Sequence, residues 1–232
     1  MKPISYDRHR FPADVIGHAV WLYFRFTMSL RDVEDLLAER GIDVSYETIR
    51  CWTLKFCTGI ATNLRGTRPN PSSNWHLDEM VVRIRGVRMY LWRAVDDEGE
   101  VLDMLVQKCR NTRAALRLMR KLLKDSGVRP TSIVTDGLGS YGAVARALNL
   151  SERRHPGRMR KNNRAENSHL PLRRRECKMQ RFKSQGSAQR FLSVHACIYN
   201  IFYTQRHLTT RPIMRQLRSV AHQTWASATA AA

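Results

Sequence analysis

Three runs rich in aliphatic and aromatic residues lie close together in this chain: Trp75 to Ile84, Arg88 to Val95 and Val101 to Gln107. Short turn-rich segments containing Arg85-Gly86 and Asp96-Asp97-Glu98-Gly99 separate them. Runs of that composition, with turn residues between them, read as strands, so the segment is confined to a three-stranded antiparallel meander. The spacing then becomes helical. Asn111 or Thr112 caps a helix from about Arg113 to Lys124, with Ala115, Leu116, Leu118, Met119, Leu122 and Leu123 inward. After Gly127 and Pro130 come a short buried strand, Ser132 to Thr135, and a helix from about Ser140 to Leu148. A basic helix and a last long helix, about Ser187 to Tyr203, complete the pattern. The Ala-rich end, Ala226 to Ala232, is expected to fray.

Ahead of the meander the spacing is helical throughout. Val15, Ile16, Ala19, Val20, Leu22, Tyr23 and Phe26 line one helix from Ala13. Ser29 caps a second, with Asp32 in its first turn and Leu30, Val33, Leu36 and Leu37 as its stripe, and Gly41 stops it. Ser45 then caps a third, Tyr46 to Phe56. Helix, short turn with Gly, helix is the pattern of a DNA-binding helix-turn-helix, although ordinary helical hairpins share it. Tyr46, Thr48, Arg50 and Lys55 are the polar residues of the third helix expected at a major groove. The turn-rich stretch Arg65 to Asn74 marks a domain boundary. The expected organisation is a helical domain over 1–66, a linker over 67–74, a catalytic domain over 75–206 and a tail over 207–232. Three antiparallel strands followed by helix, strand, helix and a basic helix is the order of an RNase H-like core, a mixed α/β sheet.

Charge narrows the partner. Forty Lys and Arg against twenty Asp and Glu leave +20 at pH 7 and a pI near 10.7. That balance points to a polyanion, with nucleic acid ahead of a membrane surface. No apolar run approaches the roughly 20 residues that span a bilayer, and the first residues have no signal-peptide core, so a cytoplasmic protein is expected. Five cysteines, odd in number and without a C-x-x-C pair, argue against a disulfide framework or a zinc ribbon.

Within this basic chain, three acids stand in costly places. Asp78 lies inside an apolar strand-like run and Asp136 ends another, just before Gly137, where α/β sheets open their ligand crevice. Glu79 adjoins Asp78, and alternation along a strand sends the two side chains to opposite faces, which favours Asp78 alone. Glu166 lies in Asn162-Asn163-Arg164-Ala165-Glu166-Asn167-Ser168-His169. Asn163 to Glu166 also fits a helix capping box, a purely structural role. Against that role, residues 152–183 hold twelve Lys or Arg and three acids, so Arg164, Arg173, Arg174 and Lys178 are expected to meet DNA beside Glu166. Arg173 follows Glu166 by two helical turns, although Pro171 between them predicts a kink. Oxygen ligands suit Mg²⁺ or Mn²⁺, and neither His76 nor His169 has a second ligand at zinc spacing.

Trp75-His76-Leu77-Asp78-Glu79, Thr135-Asp136 with Tyr141, and Asn162 to His169 running into Arg173-Arg174-Arg175-Glu176 together resemble the DDE transposases of bacterial insertion sequences. The resemblance is to the family whose founding member is called insertion sequence six, and it extends to about Tyr203. It implies that Asp78, Asp136 and Glu166 form a metal-binding triad holding two Mg²⁺ ions. It further implies that the helix-turn-helix binds terminal inverted repeats in double-stranded DNA, that two protomers bring two ends together, and that a freed 3′-OH attacks target DNA. One departure stands out: 29 residues separate Asp136 from Glu166, fewer than is usual in the family, with the shortfall around Ser151 to Arg160. A DNA-binding regulator with an inactive core, or a phage-type integrase or nuclease of the same fold, would share part of this pattern.

Overall fold

The computed structural model describes residues 1–157, 162–205 and 208–232. They form two compact units, Pro69–Ser193 and Met1–Arg68 with Val194–Ala232.

The larger continuous unit is built on the meander. β1 (Asn74–Ile84) and β2 (Val87–Asp96) pair antiparallel from Trp75↔Asp96 to Ile84↔Val87, so Arg85 and Gly86 alone make the turn. Both have positive φ, 51° and 80°, which matches the handedness of a two-residue hairpin turn. β3 (Val101–Gln107) pairs antiparallel with β2, with a register shift at Ala94/Val95. β4 (Ser132–Thr135) joins the other edge of β1, parallel to it, and β5 (Arg154–Pro156) is parallel to β4. The order β3-β2-β1-β4-β5 is the RNase H-like arrangement.

Alternation along the strands gives the sheet two buried faces. On one, Trp75, Leu77, Trp92, Ala94, Leu105 and Ile133 pack with residues of α4 (Thr112–Asp125) and α5 (Gly139–Ala147), among them Leu118, Leu122, Tyr141 and Val144. On the other, Met80, Val82, Leu91, Met104 and Val106 are buried, and α6 (Asn163–Lys178) lies against β1 and β2. α7 (Gln185–Phe202) starts on that side, where Gln189 bonds the backbone of Met104 and Val106. Pro171 sits inside α6, and the helix runs through it. β5 carries no strand signal in the sequence: its three residues, Arg154, His155 and Pro156, include no β-branched or large apolar side chain, and pairing with β4 holds them.

The second unit contains α1 (Ala13–Arg25), α2 (Leu30–Ala38), α3 (Tyr46–Gly66) and α8 (Arg211–Ala228). Ser29 and Asp32 form a reciprocal capping box on α2, and Ser45 caps α3. Ser29→Ala is therefore expected to lower stability by about 1 kcal/mol, read as a lower urea midpoint. α3 extends ten residues beyond the expected end at Phe56, because Ile60, Ala61 and Leu64 continue its buried stripe. The expected frayed tail is a correction of the same kind. Ala221, Trp225 and Ala228 recur at helical spacing and are buried, α8 contacts α3, and Ala231 bridges to Ile4. Alanines read as low-complexity sequence here serve as helix formers on a packed face. Phe191, Val194 and Ile198 of α7 are buried core.

Candidate active site

β4 pairs with β1 only as far as Leu77↔Thr135, so Asp78 and Asp136 are the next residues on neighbouring parallel strands at the carboxyl end of β4. The backbone N–H of Leu138 donates to Asp136 Oδ1 at 3.1 Å, fixing that carboxylate at the start of the loop into α5. Arg154, from β5, donates to Thr135 Oγ1 and to the Asp136 carbonyl, at 3.1 and 3.3 Å. The short β5 thus buttresses the strand end that carries Asp136.

Glu79 joins them. Oxygens of Asp78, Glu79 and Asp136 lie within 4.8 Å of one another, and this is the potential metal-holding group among the described residues. Alternation had excluded Glu79, and the reason it fails is local. Beyond Thr135 the sheet has no β4 neighbour beside β1, so side chains from both faces of β1 reach around the open edge to one place. The Glu79 side chain is 2% exposed. Its Oε2 accepts from the Tyr141 hydroxyl at 2.9 Å, and its Oε1 accepts from Arg110. Arg110 also bonds Asp136 Oδ2 at 3.0 Å. Burial, then the Asp136 charge, pushes the Glu79 carboxyl above its ordinary pKa, while the Tyr141 and Arg110 hydrogen bonds oppose the rise. Burial and the Glu79 charge push Tyr141 well up, so its hydroxyl stays a donor. Arg110 thus bonds two of the three carboxylates, Glu79 and Asp136. The surplus of hard oxygen ligands suits a divalent cation.

The opposite wall is α6. His169 Nε2 lies 3.1 Å from Asp78 Oδ2, and Asn162 Nδ2 donates to the Leu77 carbonyl at 3.0 Å. Glu166 is in the first turn of α6 and exposed, outside the three-carboxylate group. The structure therefore brings two members of the expected triad together with Glu79 and leaves the third on the facing helix. Glu166 does not belong to a capping box: the cap is Asn162, one residue earlier than that box requires, and it makes no side-chain cap bond.

Arg164, Arg173, Arg174 and Lys178 are all exposed on α6. Arg164 lies near enough to His76 that its charge, after burial, lowers the pKa of that imidazole. Arg173 pairs with Glu176 at 3.6 Å. In the helical unit, Tyr46 is 39% exposed beneath the Arg31 guanidinium, and Arg50 is exposed and paired with Glu47 through two hydrogen bonds. Lys55 is exposed with its Nζ 2.8 Å from His9 Nε2. Thr48 is half-buried, with its Oγ1 3.0 Å from the Oγ of the cap residue Ser45. The segment expected to be short, Ser151 to Arg160, lies partly outside the described residues; the part described holds a 3-10 turn and β5.

Glu79, Tyr141, Asn162 and His169 lie in the motifs that carry the resemblance but had no site role there, and Arg110 lies in none of them. For His169 a signal existed, since it follows Glu166 by three residues on one helix face. Arg110 carried none, being one Arg among many.

The family described as "DDE domain" matches residues 72–205. The transposase for insertion sequence-like element IS431mec of Staphylococcus aureus (strain Mu50) is 30% identical over 208 residues, covering 88% of this chain and 91% of the relative. The transposase for insertion sequence element IS257 in transposon Tn4003, also from Staphylococcus aureus, is 29% identical over the same length. Among solved structures, the simian T-cell lymphotropic virus intasome bound to PP2A regulatory subunit B56 gamma aligns with 67% of this chain and 56% of its own, at 17% identity and a TM-score of 0.47. The HTLV-2 integrase catalytic core domain with magnesium aligns with 67% of this chain and all of its own, at 11% identity and a TM-score of 0.40. With a DDE domain over more than half its length and insertion-sequence transposases matching it nearly end to end, the chain belongs to the DDE transposases of bacterial insertion sequences, in the insertion sequence six family.

Proposed function

We propose that this chain binds the terminal inverted repeats of an insertion sequence, cuts the element's ends to free 3′-OH groups, and joins those groups to target DNA. The observation that carries this reading is the meeting of Asp78 and Asp136 at the end of β4, opposite a basic helix that bears Glu166. Asp78, Asp136 and Glu166 would hold divalent cations, Mg²⁺ with Mn²⁺ as its substitute, which the carboxylate oxygens gathered at Asp78 and Asp136 suit. Such ions, when bound, stabilise the attacking and leaving oxygens of an in-line displacement at phosphorus.

The chain's own residues do the rest. Arg164, Arg174 and Lys178 offer exposed cations to phosphates along α6. In the first step water attacks the phosphorus, the bond to the 3′ oxygen breaks, and that oxygen leaves as a hydroxyl. In the second, the hydroxyl attacks a target phosphodiester and a target 3′ oxygen leaves. Only the nucleophile changes, so one site serves both steps and no covalent protein–DNA link is needed. α3 reads the repeats, and two protomers hold the two ends on cytoplasmic, nucleoid DNA.

The test is incubation of purified protein with Mg²⁺ and DNA carrying candidate ends. Strand release with joining to a second molecule is expected; hydrolysis without joining would overturn the reading. Arg50→Ala is expected to weaken binding to the repeat about tenfold in a fluorescence-anisotropy titration while leaving nonspecific binding nearly unchanged.

A further inference from the structure

Two side chains tie α6 to β1, and they fall on either side of Glu166. Asn162, 2% exposed, gives its amide N–H to the Leu77 carbonyl at 3.0 Å. His169, 8% exposed, sits 3.1 Å from Asp78 Oδ2. An ionised carboxylate only accepts, so the imidazole N–H donates to Asp78 Oδ2. Glu166 and His169, three residues apart, share one face of α6, and Asn162 is the residue that caps the helix start. The helix is thus fastened at both ends of the turn that carries Glu166, and each fastening is to β1 at or beside Asp78.

From this we infer that Asn162 and His169 are positioning residues: they pin α6 so that Glu166 faces the Asp78–Asp136 pair, and His169 also aims the Asp78 carboxylate at the cation. The inference rests on the proposed metal-dependent reaction and adds to it what holds the third carboxylate in place. It also answers how a residue in the first turn of a helix, with no partner in the three-carboxylate group, serves a site that needs fixed geometry. Hydrogen-bond partners of this kind orient ligands and raise their basicity, and losing one typically weakens metal binding by about 10- to 100-fold.

The probe is Mn²⁺ alone, titrated into the full chain and followed by the loss of free-ion electron paramagnetic resonance signal. His169→Ala is expected to weaken Mn²⁺ binding by about 10- to 100-fold, and His169→Gln, which keeps an N–H donor, to recover most of it. Asn162 bonds the Leu77 backbone rather than the Asp78 carboxylate, so its effect is expected to pass through Glu166. Asn162→Ala is expected to weaken binding in the otherwise native chain and to add no loss in the Glu166→Gln background. In the cleavage assay both alanine variants should raise the Mn²⁺ concentration at half-maximal rate more than they lower the rate at saturation.

Equal losses for His169→Ala and His169→Gln, together with a lowered unfolding midpoint, would mean a merely structural role and overturn the inference. So would unchanged Mn²⁺ binding in both alanine variants, or an Asn162→Ala loss that persists without Glu166. Each of those results leaves the proposed reaction standing. A native chain that binds no Mn²⁺ would overturn both.

Discussion

Asp78→Asn is expected to reduce strand cleavage and joining by about 10³-fold or more while leaving binding to the inverted-repeat ends intact, since a charged metal ligand in such a site is worth several kcal/mol of transition-state stabilisation. The amide keeps the shape of the side chain and can still meet His169, so the fold has little reason to change. What disappears is the negative charge that balances a divalent cation at the open edge of the sheet. A gel-resolved cleavage assay beside a binding titration on the same DNA separates the two effects. Retained cleavage would remove Asp78 from the catalytic set, and loss of binding in step with cleavage would mean that the substitution damages the fold. Glu166→Gln should match Asp78→Asn, whereas Glu79→Gln, whose parent carboxylate is engaged by Tyr141 and Arg110, should cost less. The reverse ranking would make Glu79 the third ligand.

Trp92→Ala is expected to destabilise the sheet unit by about 3–5 kcal/mol, the range for emptying a large aromatic site in a packed core. Trp92 is fully buried, stands opposite Glu79 in the β1–β2 register, and meets the Tyr141 ring edge-on at 5.6 Å. Removing it opens a cavity under β1 and frees Tyr141, whose hydroxyl otherwise bonds Glu79. Urea unfolding followed by tryptophan fluorescence and circular dichroism reads the loss. A shift under about 1 kcal/mol would show that the sheet relaxes around the hole, an outcome at odds with dense packing on that face.

The elements whose identity depends on local spacing were legible from residues alone. β1 to β4 and α1, α2, α4 and α5 follow from apolar period, caps and glycines, because those signals are written within a dozen residues. What escaped depends on distant partners. β5 is a strand only because β4 offers it an edge, and α8 is a packed helix only because α3 presents a face to Ala221, Trp225 and Ala228. The site divides the same way. Asp78 and Asp136 stand out as acids in apolar runs, whereas Glu79 was dismissed by a rule that holds inside a sheet and lapses where a neighbouring strand stops. Arg110 enters from the segment after β3, and no short-range pattern links it to Glu79 or Asp136.

The helical unit draws on both ends of the chain. Asn63, on α3, bonds the backbone of Lys2 and of Ala228, and Ile4 pairs with Ala231. A polypeptide leaves the ribosome from its amino end, so the sheet unit, contained within Pro69–Ser193, has its full sequence available before α8 emerges. α1 to α3 must wait for the last helix to close over them. A message broken or stopped near Arg211 would therefore yield a chain whose carboxylates can assemble but whose α3 lacks its final support.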